Sequence, residues 1–309
     1  MTLQIPPLTR RQRRVPDRRP AWEEPPSPVG NATKAVVIAV IVAVMVLPFL
    51  VVLSTSLASR EEITAAGGFV LFPTEPTLEA YRTILSGGLI TRAVLVSAGI
   101  TAVGTALSLL TTITLAYALS KPGVPGRKPV LLLVLFTLLF APGMIPMYVV
   151  VKELGLLDSY WSLILPGLVN AFNLVVMRAF FMNIPEELYQ AARIDGAGDF
   201  RILTRIVLPL SKGVVAVVGL FYAVTYWNAF FNAMLYLNDS GKWPIQLILR
   251  TYVVQNKQLT GDALGVTNMP PQQAISMAVV MIALLPILAL YPFLQKYFTK
   301  GVLTGAIKG

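Results

Sequence analysis

Residues Met182–Lys212 read MNIPEELYQAARIDGAGDFRILTRIVLPLSK, a patterned and partly polar segment set between two apolar runs. Pro185 followed by Glu186 and Glu187 marks a helix start, because proline presets φ and acids favour the positive end of the helix dipole. Leu188, Ala191 and Ala192 give that helix a small, close-packing face. Asp195-Gly196 interrupts it, since glycine enters the left-handed region without the cost of about 1–2 kcal/mol that other residues meet. Asp199 is placed to cap a second helix, in which Phe200, Leu203, Ile206, Val207 and Leu210 recur on one side. Pro209 ends or bends that helix. The expectation is a helix–turn–helix of small and apolar residues held at one face of a membrane.

The flanking runs supply the membrane. A helix needs about 20 predominantly apolar residues to cross a bilayer, and six stretches qualify: Ala35–Leu57, Ala93–Leu119, Val130–Val151, Trp161–Phe181, Gly213–Leu237 and Gln272–Gln295. None holds an aspartate or glutamate, and the one charge inside them, Arg178, lies close enough to an end to reach the headgroups. Helices are expected throughout, because an open strand in lipid leaves backbone groups unpaired. Pro48, Pro142, Pro146, Pro166 and Pro286 fall inside spans and invite kinks. The fold class is therefore an all-α, polytopic membrane protein with six transmembrane helices in residues 35–295. A disordered basic tail is expected over 1–34 (Arg10, Arg11, Arg13, Arg14, Arg18 and Arg19 among prolines) and a short tail over 296–309. With the amino terminus inside, 17 of the 25 Lys and Arg fall in inner segments and 7 in outer loops, so both termini are expected to be cytoplasmic.

Composition removes most other classes. Of 309 residues 55% are hydrophobic and 13% charged, about half the charged fraction of a soluble domain. With neither cysteine nor histidine, thiol nucleophiles, disulfides and imidazole acid–base chemistry are excluded. No catalytic residue, metal or cofactor is expected, nor a nucleic-acid partner for the basic tail. A phosphate-loop motif is absent, so the chain does not bind ATP in that way. The spans also lack the carboxylates or histidines of a proton relay. Energy must come from a partner.

The segment 182–212 resembles the signature loop of ABC importer permeases: Glu-Ala-Ala, three residues, Gly, nine residues, Ile-x-Leu-Pro. Gln190-Ala191-Ala192, Gly196, Ile206, Leu208 and Pro209 keep every spacing, with Gln190 where glutamate is usual. Leu188–Ala197, Tyr226–Phe231 and the ending Gly305–Gly309 are similar to the carbohydrate-uptake branch, and within it to the second permease of maltose-type and complex-polysaccharide importers. The resemblance implies a type I importer permease fold and a coupling loop over 182–212. In that loop Glu187, Gln190, Ala191, Ala192, Asp195, Gly196, Ala197 and Pro209 would face a cytoplasmic ATPase. It also implies a multi-pass cell-membrane protein that moves an oligosaccharide or polysaccharide fragment. Its partners would be a second six-helix permease, two ATP-binding subunits and an extracytoplasmic solute-binding protein.

Sugars are held by amide hydrogen bonds and aromatic faces, which makes Trp227, Asn228, Asn232, Asn170 and Asn173 candidates for the pathway; interhelical packing is the competing role. Glu61, Glu62, Glu75, Glu79, Lys242, Arg250 and Lys257 sit in two long outer loops where a capture protein could land. The competing functions are an ABC permease for an amino acid, a peptide or phosphate, and an ATP-independent channel or carrier.

Overall fold

The computed structural model describes residues 27–255 and 269–306, with the backbone alone for 291 and 293–306. All regular structure among the described residues is helical. The chain divides into an amino-terminal segment, residues 1–49, and a unit of residues 50–309. Helix α1 (Pro28–Leu57) crosses that division. It begins earlier than the apolar run and takes in residues 28–34, which are expected in the tail from composition but are helical. The reason is a start signal: Pro28 opens the helix and Ser27 precedes it, its Oγ accepting the Gly30 N–H at 3.0 Å. The arginines between Arg10 and Arg19 lie outside the described residues.

Within the larger unit, short helices α2 (Arg60–Ala65) and α3 (Glu79–Leu85) lead into α4 (Gly88–Ser120). Helix α4 is the longest fully described element, and its buried face carries Ala93, Ser97, Gly104, Ser108, Thr112 and Ala116. Small residues at such spacing let helix backbones approach closely, which is how helices associate in lipid where hydrophobic burial gives no net advantage. At Gly104 a Cβ would stand 2.8 Å from the Tyr226 ring, so the glycine admits that ring between α4 and its neighbour.

Helices α5 (Arg127–Leu139) and α6 (Met144–Glu153) occupy the third expected span. They are separate because Ala141 precedes Pro142, which disfavours helical backbone there, and Gly143 takes φ +80°. The fourth span is α7 (Trp161–Gly167, closing in a tight turn that holds Pro166) and α8 (Ala171–Met182), inclined at 47°. Helices α9 (Glu186–Ile194) and α10 (Asp199–Leu210) form the 182–212 segment. Helix α11 (Lys212–Trp227) stands at 86° to α10 and packs along α4. Then come α12 (Phe231–Tyr236), α13 (Ile245–Val254) and α14 (Gln272–Ala306).

Among the described residues three helices are long and apolar enough to span a bilayer without a break, Pro28–Leu57, Gly88–Ser120 and Gln272–Leu290, and the number reaches five only if each of the two bent pairs is counted as one span. Breaks at Pro142-Gly143 and at Asn228 divide the remaining expected runs. Pro48 and Pro286, by contrast, sit inside unbroken helices. The last helix continues past Gln295, the expected end of the sixth span.

Candidate functional site

Two sites take shape, one at the 182–212 segment and one where helices break. In the first, α9 starts after Pro185 with Glu186 and Glu187 in its opening turn. It closes with a paired cap: the Gly196 N–H donates to the Arg193 carbonyl at 3.0 Å and the Ala197 N–H to the Ala192 carbonyl at 2.9 Å. Gly196 holds φ +74°, and a Cβ there would meet nothing within 4 Å. The demand for glycine is therefore conformational, not steric. Asp195, also expected at this turn, caps α9 with an exposed side chain.

Helix α10 departs from expectation in two respects. Gly198 is its cap, while Asp199 is the first helical residue and its carboxylate pairs with Lys121 instead. Residues Leu203–Val207 form a π turn, whose extra residue per turn rotates the face. The buried set becomes Ile202, Leu203 and Val207, whereas Phe200 and Leu210, expected on the same side, are exposed. Pro209 lies in the final turn and precedes the elbow at Ser211.

The inner side of this helix pair is anchored to the end of α4. Tyr117 Oη donates to the Asp199 carbonyl at 3.2 Å, and Lys121 stacks over the Tyr117 ring while pairing with Asp199. Hydrogen bonding to Lys121 lowers the Asp199 pKa from its ordinary value. Ala192 is buried against this core, and Tyr189 packs against it. The outer side is apolar and bare: Ile194 is 86% exposed and Phe200 79%, with Ala191, Glu187 and Gln190 also exposed. The exposed apolar pair thus sits on a turn anchored from its inner side. Tyr117 and Lys121 escaped the sequence reading because they lie 75 or more residues away.

The second site is a cavity of about 440 Å³ that brings together Asn170, Asn173, Asn228 and Asn232. Asn170 caps α8, its Oδ1 accepting the Asn173 N–H at 3.1 Å. Asn173 is 4% exposed and lines the cavity, and its carboxamide makes no hydrogen bond among the described residues. Asn228 terminates α11, its Nδ2 donating to the Val224 carbonyl at 2.9 Å. Tyr222, Tyr226, Tyr236, Phe230 and Phe231 complete the aromatic lining, and the lining has no charged side chain. Two tyrosines hold the frame. Tyr222 Oη bonds Thr112 Oγ1 at 2.7 Å and accepts the Asn170 N–H at 3.0 Å, while Tyr226 Oη bonds Ser108 Oγ at 2.8 Å.

Trp227 is not in this cavity. It is buried among Ile245, Ile248 and Ala278, and its Nε1–H donates to the Ala283 carbonyl at 2.9 Å. Helical geometry explains the split: residues one apart point about 100° away from each other, so Tyr226 and Trp227 cannot share a face. The sequence reading missed Tyr222, although it stands one turn before Tyr226 on the same side.

Asp158, at φ +57°, fastens the loop that holds it to the loop after α12. Its Oδ1 accepts the N–H groups of Asn238 and Asp239 at 3.2 and 3.1 Å, and its Oδ2 pairs with Lys242 at 2.9 Å. The Lys242 ammonium, first, and the Asp239 amide hold its carboxyl below the ordinary value. Glu62 accepts from Thr74, Ser59 and Glu75, which brings its pKa down to about 2. Glu61, Glu75 and Glu79 lie on the same segment, between α1 and α4, and Arg250 stacks over the Phe230 ring at 5.2 Å. Lys257 lies outside the described residues.

Residues 108–304 match the family described as binding-protein-dependent transport system inner membrane component. The polygalacturonan/rhamnogalacturonan transport system permease protein YtcP of Bacillus subtilis is 50% identical over 268 residues, covering 86% of this chain and 93% of that one. The arabinooligosaccharides transport system permease protein AraQ of Halalkalibacterium halodurans is 28% identical over 92% of this chain and 98% of its own. Among solved structures, a bacterial ABC transporter involved in the import of the acidic polysaccharide alginate matches with TM-score 0.80 and 31% identity, over 87% of this chain and 96% of that one. With the family match over more than half of the chain and a relative at 50% identity, the chain belongs to the binding-protein-dependent transport system inner membrane components.

Proposed function

We propose that the chain is one half of the translocation pathway of an ATP-driven importer for an oligosaccharide or polysaccharide fragment. In this reading it pairs with a second six-helix permease above two ATP-binding subunits and receives substrate from an extracytoplasmic binding protein. Both termini and the 182–212 segment face the cytoplasm. The observation that carries the reading is the exposed Ile194–Phe200 turn, rigid on its inner side and apolar on its outer side. Ala191, Gly196 and Ala197 admit close approach there, and Glu187, Gln190 and Asp195 rim it. Closure of the ATPase pair on nucleotide pushes this lever. The 86° elbow before α11 passes the motion to a helix packed along α4.

The Asn170–Asn173–Asn228–Asn232 cavity is the part of the pathway this chain supplies. Neutral amides and tyrosine hydroxyls suit sugar hydroxyls, and Phe230 and Phe231 suit C–H faces. Trp227 supports this wall from behind. The test is reconstitution of the permease pair, with and without the ATPase subunits, in vesicles supplied with loaded binding protein. Saccharide uptake that needs ATP and the ATPase is expected; uptake by the permeases alone would overturn the proposal.

A further inference from the structure

Beyond the transport site, a second cavity, of about 580 Å³ and with a largely apolar wall, opens beside the start of α5. Arg127, Lys128 and Arg178 line it, together with Pro129 and Leu131. Three cations meet here, and none of them is in an ion pair with an acid among the described residues. Their placement is built in. Arg178 Nε donates to the Leu119 carbonyl at 2.9 Å, and Arg127 Nη1 donates to the Lys121 carbonyl at 3.3 Å. Each guanidinium is thus steered by carbonyls at the end of α4, while the Nη groups of Arg178 keep no partner among the described residues. Helix α5 starts at Arg127 after a left-handed Gly126, so the positive end of its dipole adds to the same field. Like charges gathered without a counter-ion repel one another, and the arrangement is favourable once an anion sits between them.

The surroundings select the source of that anion. Leu132 and Leu133 follow on α5 at 67% and 66% exposed, and Phe180 follows Arg178 on α8 at 48%. The cations therefore stand at the foot of bare apolar helix faces. That matches a phospholipid, with its phosphate among the guanidinium forks and its chains along the leucines. We propose that Arg127, Lys128 and Arg178 form a site for the phosphate of an anionic phospholipid headgroup in the inner leaflet. Its placement in that leaflet rests on the orientation proposed above; the lipid preference does not.

The test uses the full chain with its permease partner, in nanodiscs of phosphatidylcholine with or without phosphatidylglycerol, followed by native mass spectrometry of retained lipid. Wild type is expected to retain phosphatidylglycerol in preference, and Arg127→Gln with Lys128→Gln to lose about fivefold of that preference per cation removed. Arg127→Lys, which keeps the charge but not the fork, is expected to retain more of the preference than Arg127→Gln does. Helicity and elution volume of each variant confirm that loss is not misfolding. Equal retention of both lipids by wild type, or a preference unchanged in the double variant, overturns the proposal. So does stabilisation by inorganic phosphate alone equal to that by the lipid, which would make the site one for free anion. Weakened ATPase binding in the double variant with lipid retention intact would instead assign the cations to a protein interface. Wild type that retains phosphatidylglycerol in preference yet moves no saccharide with its ATPase subunits would count against the transport reading and not against this site.

Discussion

Gly196 and Asn173 are single residues with opposite kinds of constraint. At Gly196 the backbone sits in the left-handed region with open space around the missing Cβ. Gly196→Ala is therefore expected to cost about 1–2 kcal/mol in the turn and nothing in packing. Gly196→Asp adds a charge to the apolar face beside Ile194. We expect it to abolish uptake and permease-stimulated ATP turnover while membrane insertion, read by fractionation, stays at the wild-type level. Retained uptake would remove the docking role from this turn. Asn173 is constrained by polarity: its buried carboxamide has the cavity to bond with. Asn173→Leu keeps the volume and relieves a buried polar group, so thermal stability is expected to hold or rise while the apparent affinity for saccharide falls several-fold. Unchanged uptake kinetics would make Asn173 a packing residue.

Among elements, the α4–α11 contact is the most demanding. Gly104→Ala drives a methyl to 2.8 Å from the Tyr226 ring, and the helices must part or the ring must turn. The expected cost is about 1–3 kcal/mol, measured as a lower midpoint of thermal unfolding in detergent. Gly99, five residues earlier, has nothing within 4 Å of its Cβ position and serves as the control, since Gly99→Ala should leave the midpoint unchanged or raised. The sequence displayed α4 as an apolar run, but the choice of Gly104 over Gly99 for close approach depends on a tyrosine more than a hundred residues away. Similarly, the helical period placed Phe200 and Leu210 with Leu203. The π turn at Leu203–Val207 exposes both, and no local pattern announces it.

At the scale of the whole molecule, the loops around Glu62 and Asp158 are fastened by carboxylates whose pKa values are lowered. Glu62 is held at about 2 against an ordinary 4.5 by the Thr74 hydroxyl first, and Asp158 lies below 3.8 through Lys242. A lowered folded-state value means that the ionised group's stabilisation is complete above the ordinary pKa and is lost as pH falls through the folded one. Both fastenings are therefore intact near neutrality and release only in acid. Thermal midpoints are expected to fall as pH drops below about 4, with Glu62→Gln and Asp158→Asn lower than wild type at pH 7 and converging on it in acid. A gap between wild type and variant that persists undiminished at low pH would assign these residues to packing instead.

Local chemistry was sufficient for the membrane class, the all-helical fold and the turn at Gly196. Apolar length, the absence of carboxylates in the spans and glycine's access to positive φ act within a few residues of where they are written. The same locality made Pro185, Glu186 and Glu187 legible as a helix start, and made Asn170, Asn173, Asn228 and Asn232 legible as candidates one by one. Folding settled what lies between distant segments: that these four amides share one cavity and Trp227 does not, that Lys121 takes Asp199 from its capping role, and that the third and fifth runs break at Pro142 and Asn228. Each of these outcomes turns on which helix face meets which neighbour. That is set by side-chain fit across tens of residues, for which the linear order of the chain carries no short-range signal.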